Sequence, residues 1–206
     1  ISILLPYKEN FSPIYPGAVS LFVKDTASIS KFKKNIIVYG NTHFKKKFQF
    51  KYFNIPLSNF KFQSKSKQYV NKFIEIEATN PSDLIEVHNR PNYLSEIITK
   101  LDKRNLVLYF HNDPLTMSGS KNINERVNLL KQCFKIIFNS NWSKKRFLQK
   151  MKSDAINSEK LIVINQSASK NKINFNNKKK LITFVGKLNR SKGYDLFGKA
   201  VLKILK

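Results

Sequence analysis

The sequence holds one cysteine, six glycines and only 13 acidic residues against 38 Lys and Arg. Each shortage excludes something. The lone thiol, Cys133, has no partner for an internal disulfide and no metal ligand at short spacing, so it reads as a buried thiol in a reducing compartment. The longest apolar runs, such as Leu106–Phe110, are strand-sized, far short of the roughly 20 residues that cross a bilayer. Ile1–Leu5 has no basic flank before it and no small-residue cleavage site after it, so no signal peptide is visible. The G-x-S-x-G nucleophile elbow, the G-x-x-x-x-G-K-[ST] phosphate loop and the G-x-G-x-x-G dinucleotide fingerprint are all missing. There is no initiating methionine, and a helical pattern runs up to Lys206, so the chain reads as a piece of a longer protein.

What is abundant is positive charge. The formal balance is +25. One reading is a phosphate-rich partner: nucleic acid, anionic lipid or a nucleotide sugar. The other is codon composition, since Lys, Asn, Ile and Phe are all plentiful and all have AT-rich codons. The basic residues are spread along the chain rather than gathered in one stripe, which argues against nucleic acid. The expectation is a cytoplasmic protein, with peripheral affinity for the anionic inner face of the membrane left open. A hydrophobic content of 41% excludes wholesale disorder.

Strand and helix patterns alternate. Apolar runs predict strands at Ile1–Leu5, Asn35–Gly40, Phe48–Ile55, Asp83–His88, Leu106–Phe110, Ile136–Phe138 and Leu161–Ile164. Helical spacing predicts helices from Ala18, over Ser64–Thr79, Tyr93–Lys103, Ile123–Gln132 and Trp142–Met151, with Pro91 at one helix start and Ser140 or Asn141 capping another. Such alternation gives an α/β, doubly wound parallel sheet. Residues 166–180 are polar and lack periodicity, and read as a linker. After it, Leu181–Gly186 predicts one more strand and Tyr194 onward one more helix. The expected organisation is therefore a domain over 1–165, the linker over 166–180, and the opening of a second domain over 181–206.

Open parallel sheets bind ligands beyond the carboxyl ends of their strands. The segments there are Tyr15–Ala18, Val87–Pro91, Phe110–Pro114 and Gly186–Gly193. Here a resemblance emerges. Phe184-Val-Gly-Lys-Leu-Asn-Arg-Ser-Lys-Gly-Tyr-Asp195 is similar to the F-x-G-R-x-x-x-x-K-G-x-D signature that opens the second domain of family 4 glycosyltransferases. Phe138-Asn-Ser-Asn-Trp-Ser-Lys-Lys-Arg-Phe147 resembles that family's V-S-x-x-x-K-x-x-F segment. Lys187 stands where the family has Arg, which keeps the charge and loses the bidentate fork.

The resemblance implies the Rossmann-like amino-terminal half of a GT-B fold. It implies a retaining transferase that moves a sugar from a nucleotide-sugar donor to a glycan or lipid-linked acceptor in cell-envelope polysaccharide synthesis. No metal or other cofactor is implied, and the absence of a D-x-D motif argues against a metal-dependent GT-A enzyme. Gly186, Lys187 and Lys192 would face the donor diphosphate, as would Gly17, although Gly17 also reads as a plain helix-start glycine. His111 would face the sugar and acceptor as a catalytic residue. Asp113 would be a second catalytic residue, near the acceptor hydroxyl, or else cap the next turn. His88, Asn89, Arg90 and Asn112 read as acceptor-side or structural. His43 reads as an inert surface residue. The Phe- and Lys-rich stretch 44–67 reads as a solvated loop or a membrane contact. The family's paired glutamates lie in a second domain beyond this chain, so the fragment alone is expected to be inactive. Two other classes stay open: a non-enzymatic phosphate or nucleic-acid binding module, and another GT-B activity such as an epimerase or phosphorylase.

Overall fold

The computed structural model describes residues 1–58, 63–101, 104–167, 181–186, 188 and 190–204. The chain divides into two units, Ile1–Ser169 and Lys170–Lys206.

Seven strands form the first unit's sheet: β1 (Ser2–Leu4), β2 (Ile37–Gly40), β3 (Tyr52–Asn54), β4 (Leu84–His88), β5 (Asn105–Phe110), β6 (Lys135–Phe138) and β7 (Leu161–Val163). Every pairing is parallel and the order is β3-β2-β1-β4-β5-β6-β7. Its helices are α1 (Ala18–Ile29), α2 (Lys65–Thr79), α3 (Pro91–Lys100), α4 (Ile123–Gln132), α5 (Asn141–Leu148) and the single-turn α6 (Ser153–Ile156). This is a Rossmann-like, doubly wound α/β sheet. The order runs outward from β1 in both directions, so the chain reverses between β1 and β4, and that reversal opens a crevice at the strands' carboxyl ends.

Alternation along each strand feeds two cores. Leu4, Tyr39, Ile85, Val87, Leu108, Phe110, Ile136 and Phe138 point to one face, where α2, α3, α4 and α5 supply Tyr69, Phe73, Leu94, Ile97, Leu129 and Phe147. Ile3, Leu5 and Val38 point to the other, where α1 packs through Val19, Val23 and Ala27. Cys133 joins the first core, and burial pushes its thiol up to about 12 despite the nearby Lys160 charge. At the amino-terminal edge of the sheet, buried Glu77 accepts hydrogen bonds from Ser2 Oγ and from the Ser82 backbone N–H (3.1 Å) and hydroxyl (3.0 Å), tying α2 to the starts of β1 and β4.

Helix starts follow from their caps. Ser64 accepts from the Lys67 N–H at α2, Pro91 opens α3, and Ser140 accepts from the Ser143 N–H at α5. Asn122 and Glu125 make a reciprocal capping box at α4.

Several expected bounds shift, among them the helix expected over Trp142–Met151, which runs Asn141–Leu148. The third strand pairs only over Tyr52–Asn54, because Phe48 and Phe50 turn onto Phe11, with ring centroids 5.1 and 6.2 Å away. Those aromatics of stretch 44–67 therefore serve the α1-side core, and residues 59–62 lie outside the described residues. The helix expected to reach Lys103 ends at Lys100; Asp102 and Lys103 lie outside the described residues.

In the second unit, Tyr194–Ile204 is helix α7, preceded by a 3-10 turn at Arg190–Lys192. Leu181–Gly186 forms no strand: it pairs with none of the described residues, and Leu181, Ile182 and Val185 are exposed. A parallel strand exists only through its neighbours, and no neighbour for it is among the described residues. Residues 168–180, the larger part of the expected linker, and Lys187 lie outside the described residues.

Candidate functional site

The loops after β1, β4 and β5 meet at the reversal point. Asn89 follows β4 with φ of 55°, a left-handed conformation that Asn tolerates better than most residues. Its backbone N–H donates to the Tyr109 carbonyl (2.8 Å), and its side-chain oxygen accepts from the His111 backbone N–H (2.9 Å). One strained, buried residue thus fixes the end of β4 against the end of β5. Asn139, after β6, donates to the His111 carbonyl (2.8 Å) and ties in the next strand end.

Of the expected site residues, those at the ends of β4 and β5 fall into two groups on opposite sides of this seam. Asn89, Arg90 and Asn112 line a cleft of about 500 Å³ with Tyr7, Lys8 and Ser66. Pro91 and Asn92 at the start of α3 and the turn at Thr116–Ser118 line it as well. Gly119, which closes that turn, has φ of 92°, and a Cβ there would lie 2.7 Å from the Asn92 backbone nitrogen, so glycine is required. Tyr7 and Lys8 also line an adjoining cleft of about 660 Å³, with Lys65, Asn41 and Asn54. His43, expected to be inert, is exposed on the chain yet lines that second cleft. Among the described residues, no carboxylate lines either cleft. Asn, Ser and Tyr side chains beside Lys8 and Arg90 suit a hydroxyl-rich or anionic ligand.

On the α1 side, β4 and β5 bring together His88, Tyr109 and His111. Register pairs His88 with Tyr109, so their rings stack 5.3 Å apart, and His111 stacks on Tyr109 at 4.6 Å. Phe22 from α1 meets His111 edge-on at 5.0 Å. His88 Nδ1 and His111 Nε2 are 2.8 Å apart, and Gln166 Nε2 is 2.8 Å from His111 Nδ1. His88 Nε2 lies 2.8 Å from Glu86 Oε1 but off the hydrogen-bond axis, so their attraction is one of charge and dipole. Burial, and secondarily the neighbouring His88, push His111 down to about 3, so it is neutral at physiological pH. Burial and then the Glu86 charge push Tyr109 up to about 12, keeping its hydroxyl a donor to the Ile164 carbonyl (3.2 Å).

Asp113 is committed elsewhere. Its Oδ1 accepts from the Leu115 N–H (3.0 Å), capping the 3-10 turn Pro114–Thr116, and its Oδ2 accepts from Arg146 Nη2 (2.9 Å) and Nε (3.1 Å). Burial raises its pKa, but the Arg146 hydrogen bonds, the Leu115 N–H and the Arg146 charge outweigh that and hold it below the usual range. The cap expected for Asp113 is thus formed.

Gly17 is the N-cap of α1, with an extended backbone. The Glu9 carboxylate accepts from the Ser20 N–H (2.9 Å), and a Cβ on Gly17 would fall 1.8 Å from Glu9 Oε1. An internal anion therefore occupies this helix start. In the second unit, Gly186 and Lys192 are exposed, and Gly193 has φ of 73° in the turn that starts α7. A further cleft of about 710 Å³ lies at the start of α4, away from the strand ends, where Asn122 and Glu125 already cap the helix. Among the described residues, no three His, Cys, Asp or Glu side chains converge as metal ligands. No described helix is long and apolar enough to cross a membrane.

Sequence reasoning found His88, Asn89 and His111 by their place at strand ends. It missed Glu86, Glu9, Gly119 and Gln166. Glu86 had a signal, since it stands two residues before His88 and shares its strand face; the others depend on contacts that local pattern does not carry.

No family model and no curated protein matches the sequence. Among solved structures, HepE from Anabaena in complex with UDP and glucose is similar at a TM-score of 0.53 and 21% identity, over 80% of this chain and 44% of that one. UDP-N-acetylglucosamine 2-epimerase from Rickettsia bellii aligns at a TM-score of 0.44 and 14% identity, over 79% of this chain and 43% of that one. The chain spans less than half the length of either. At this identity the likeness to HepE shows the fold alone, the Rossmann-like half of a GT-B protein.

Proposed function

We propose that this chain is the acceptor-side half of a GT-B glycosyltransferase that moves a sugar from a nucleotide-sugar donor to a glycan or lipid-linked acceptor. The observation that carries this reading is the strand reversal between β1 and β4, with a carboxylate-free polar cleft on one side of the seam and His111 on the other. The likeness in fold to a structure that holds UDP and glucose supports it.

In this reading Asn89, Arg90 and Asn112 hold acceptor hydroxyls, and His111 orients a hydroxyl at the reacting centre. Gly186, Lys187 and Lys192 belong to the donor side, where cations and helix-start N–H groups neutralise the departing diphosphate. That neutralisation needs no metal. Retention of configuration, family 4 membership, a cell-envelope acceptor and a cytoplasmic site at the inner membrane face belong to the same proposal. The net charge of +25 favours the membrane part.

The test is expression from the complete coding sequence and screening of UDP-, GDP- and ADP-sugars for acceptor-dependent release of nucleoside diphosphate. The reading expects release with at least one donor, lowered roughly 10²- to 10³-fold by Lys187→Ala or Lys192→Ala. A folded complete protein that binds and turns over none of these donors would sink it.

A further inference from the structure

The α1-side line of polar groups, Glu86, His88, His111 and Gln166, does more than bring two histidines to one place. Glu86 and His88 share a face of β4 because they are two residues apart, and the pairing of His88 with Tyr109 sets His111 on that face at the end of β5. Phe22 and Tyr109 close over both imidazoles, leaving His88 fully buried and His111 9% exposed. Water therefore does not settle which ring nitrogens carry protons. A neutral imidazole has one donor and one acceptor, so where two imidazoles meet at 2.8 Å the groups at the two ends decide, Gln166 through a hydrogen bond and Glu86 through its charge.

Glu86, an anion 2.8 Å from His88 Nε2, favours a proton on that nitrogen and disfavours a lone pair. His88 Nδ1 is then an acceptor, and His111 Nε2, 2.8 Å away, must be the donor. His111 Nδ1 is left with its lone pair outward, where the Gln166 amide meets it at 2.8 Å. Turning the Gln166 amide over would demand the reverse order along the whole line and would aim a His88 lone pair at the Glu86 carboxylate. The carboxylate therefore sets the direction, whichever way that amide is placed.

We infer that Glu86 and His88 are positioning residues that fix His111 with its proton on Nε2 and its Nδ1 lone pair available to a hydroxyl donor, and that the Gln166 amide stands where a ligand hydroxyl would bind. His88 on this account is not an acceptor contact but the link through which Glu86 acts. The inference rests on the proposed transferase reading only in naming the ligand group as a sugar hydroxyl; the tautomer stands on the geometry alone.

The test uses this chain labelled with 15N-histidine and long-range 1H–15N correlation at neutral pH. The chain has three histidines, and exposed His43 is the internal reference. The expected spectrum shows His88 and His111 each as the Nε2–H tautomer, with His43 averaged. His88→Phe keeps a ring against Tyr109 but removes the acceptor, and should release His111 into a tautomer mixture; Glu86→Leu should do the same. Gln166→Ala should leave His111 as Nε2–H. A wild-type His111 protonated on Nδ1 overturns the inference without any variant. So does a His111 unchanged in both folded His88→Phe and folded Glu86→Leu. Donor turnover by the complete protein is a separate readout, so failure of the transferase reading and failure of this inference are distinguishable.

Discussion

Asn89 holds His111 in place: its side-chain oxygen accepts the His111 backbone N–H at 2.9 Å while its own backbone sits at φ of 55°. The two contributions separate by substitution. Asn89→Gly keeps the left-handed backbone and loses the hydrogen bond, and should cost about 1 kcal/mol. Asn89→Ala also loses the bond and, unlike Gly, keeps a Cβ in the left-handed region without the polar side chain that lets Asn tolerate it, a penalty of about 1–2 kcal/mol. Urea unfolding should therefore rank wild type above Gly above Ala; Ala equal to Gly would mean the backbone conformation carries no penalty.

The Asp113–Arg146 pair is a second joint, fixing the loop after β5 on α5. It is partly solvated, with 35% of the Arg146 side chain exposed, so its worth is discounted accordingly. Arg146→Met should destabilise by about 1 kcal/mol or less, and Asp113→Ala by about 1–2 kcal/mol because it also removes the cap on Leu115. A double-mutant cycle measures the coupling; equal losses from both variants would show that the cap contributes nothing.

His111 makes stability depend on pH in a definite direction. Its folded pKa of about 3 lies below the ordinary value of 6.5, so between these values the unfolded chain binds more protons. The burial penalty is absent above pH 6.5 and grows as pH falls toward 3. Melting temperature should drop on acidification from pH 6.5 to 5, before most carboxylates titrate, and His111→Gln should flatten that slope. An unchanged slope in the folded variant would place the proton uptake elsewhere.

Cys133 should be silent in the native protein. With its thiol buried and raised to about 12, it should react with a disulfide reagent only on unfolding. Rapid stoichiometric labelling of the folded chain would contradict the packing described for the α4–β6 junction.

The central strands and their helices were legible because a sheet covered on both faces is written as continuous apolar runs, as in Leu106–Phe110, and because caps such as Asn122 with Glu125 mark helix starts locally. β3 was legible only in part, since Phe48 and Phe50 alternate like a strand yet are claimed by Phe11. Leu181–Gly186 carries a strand pattern with no neighbour among the described residues to pair it. At the site, His111 and Asn89 were found by position at strand ends. The partners that determine their chemistry were not: Gln166 is 55 residues from His111, and Arg146 is 33 from Asp113. Glu86 was hidden by type, because a carboxylate inside an apolar strand reads as an outward-facing residue until the histidine two positions on is seen on the same face.

The most direct test of the account is a comparison of wild-type and His111→Ala complete proteins, with donor affinity and turnover measured separately. If His111 orients the reacting hydroxyl from the acceptor-side half, turnover should fall roughly 10²-fold or more, while the dissociation constant for the nucleotide sugar stays unchanged. Turnover equal to wild type in the folded variant, or a loss confined to donor affinity, would contradict it.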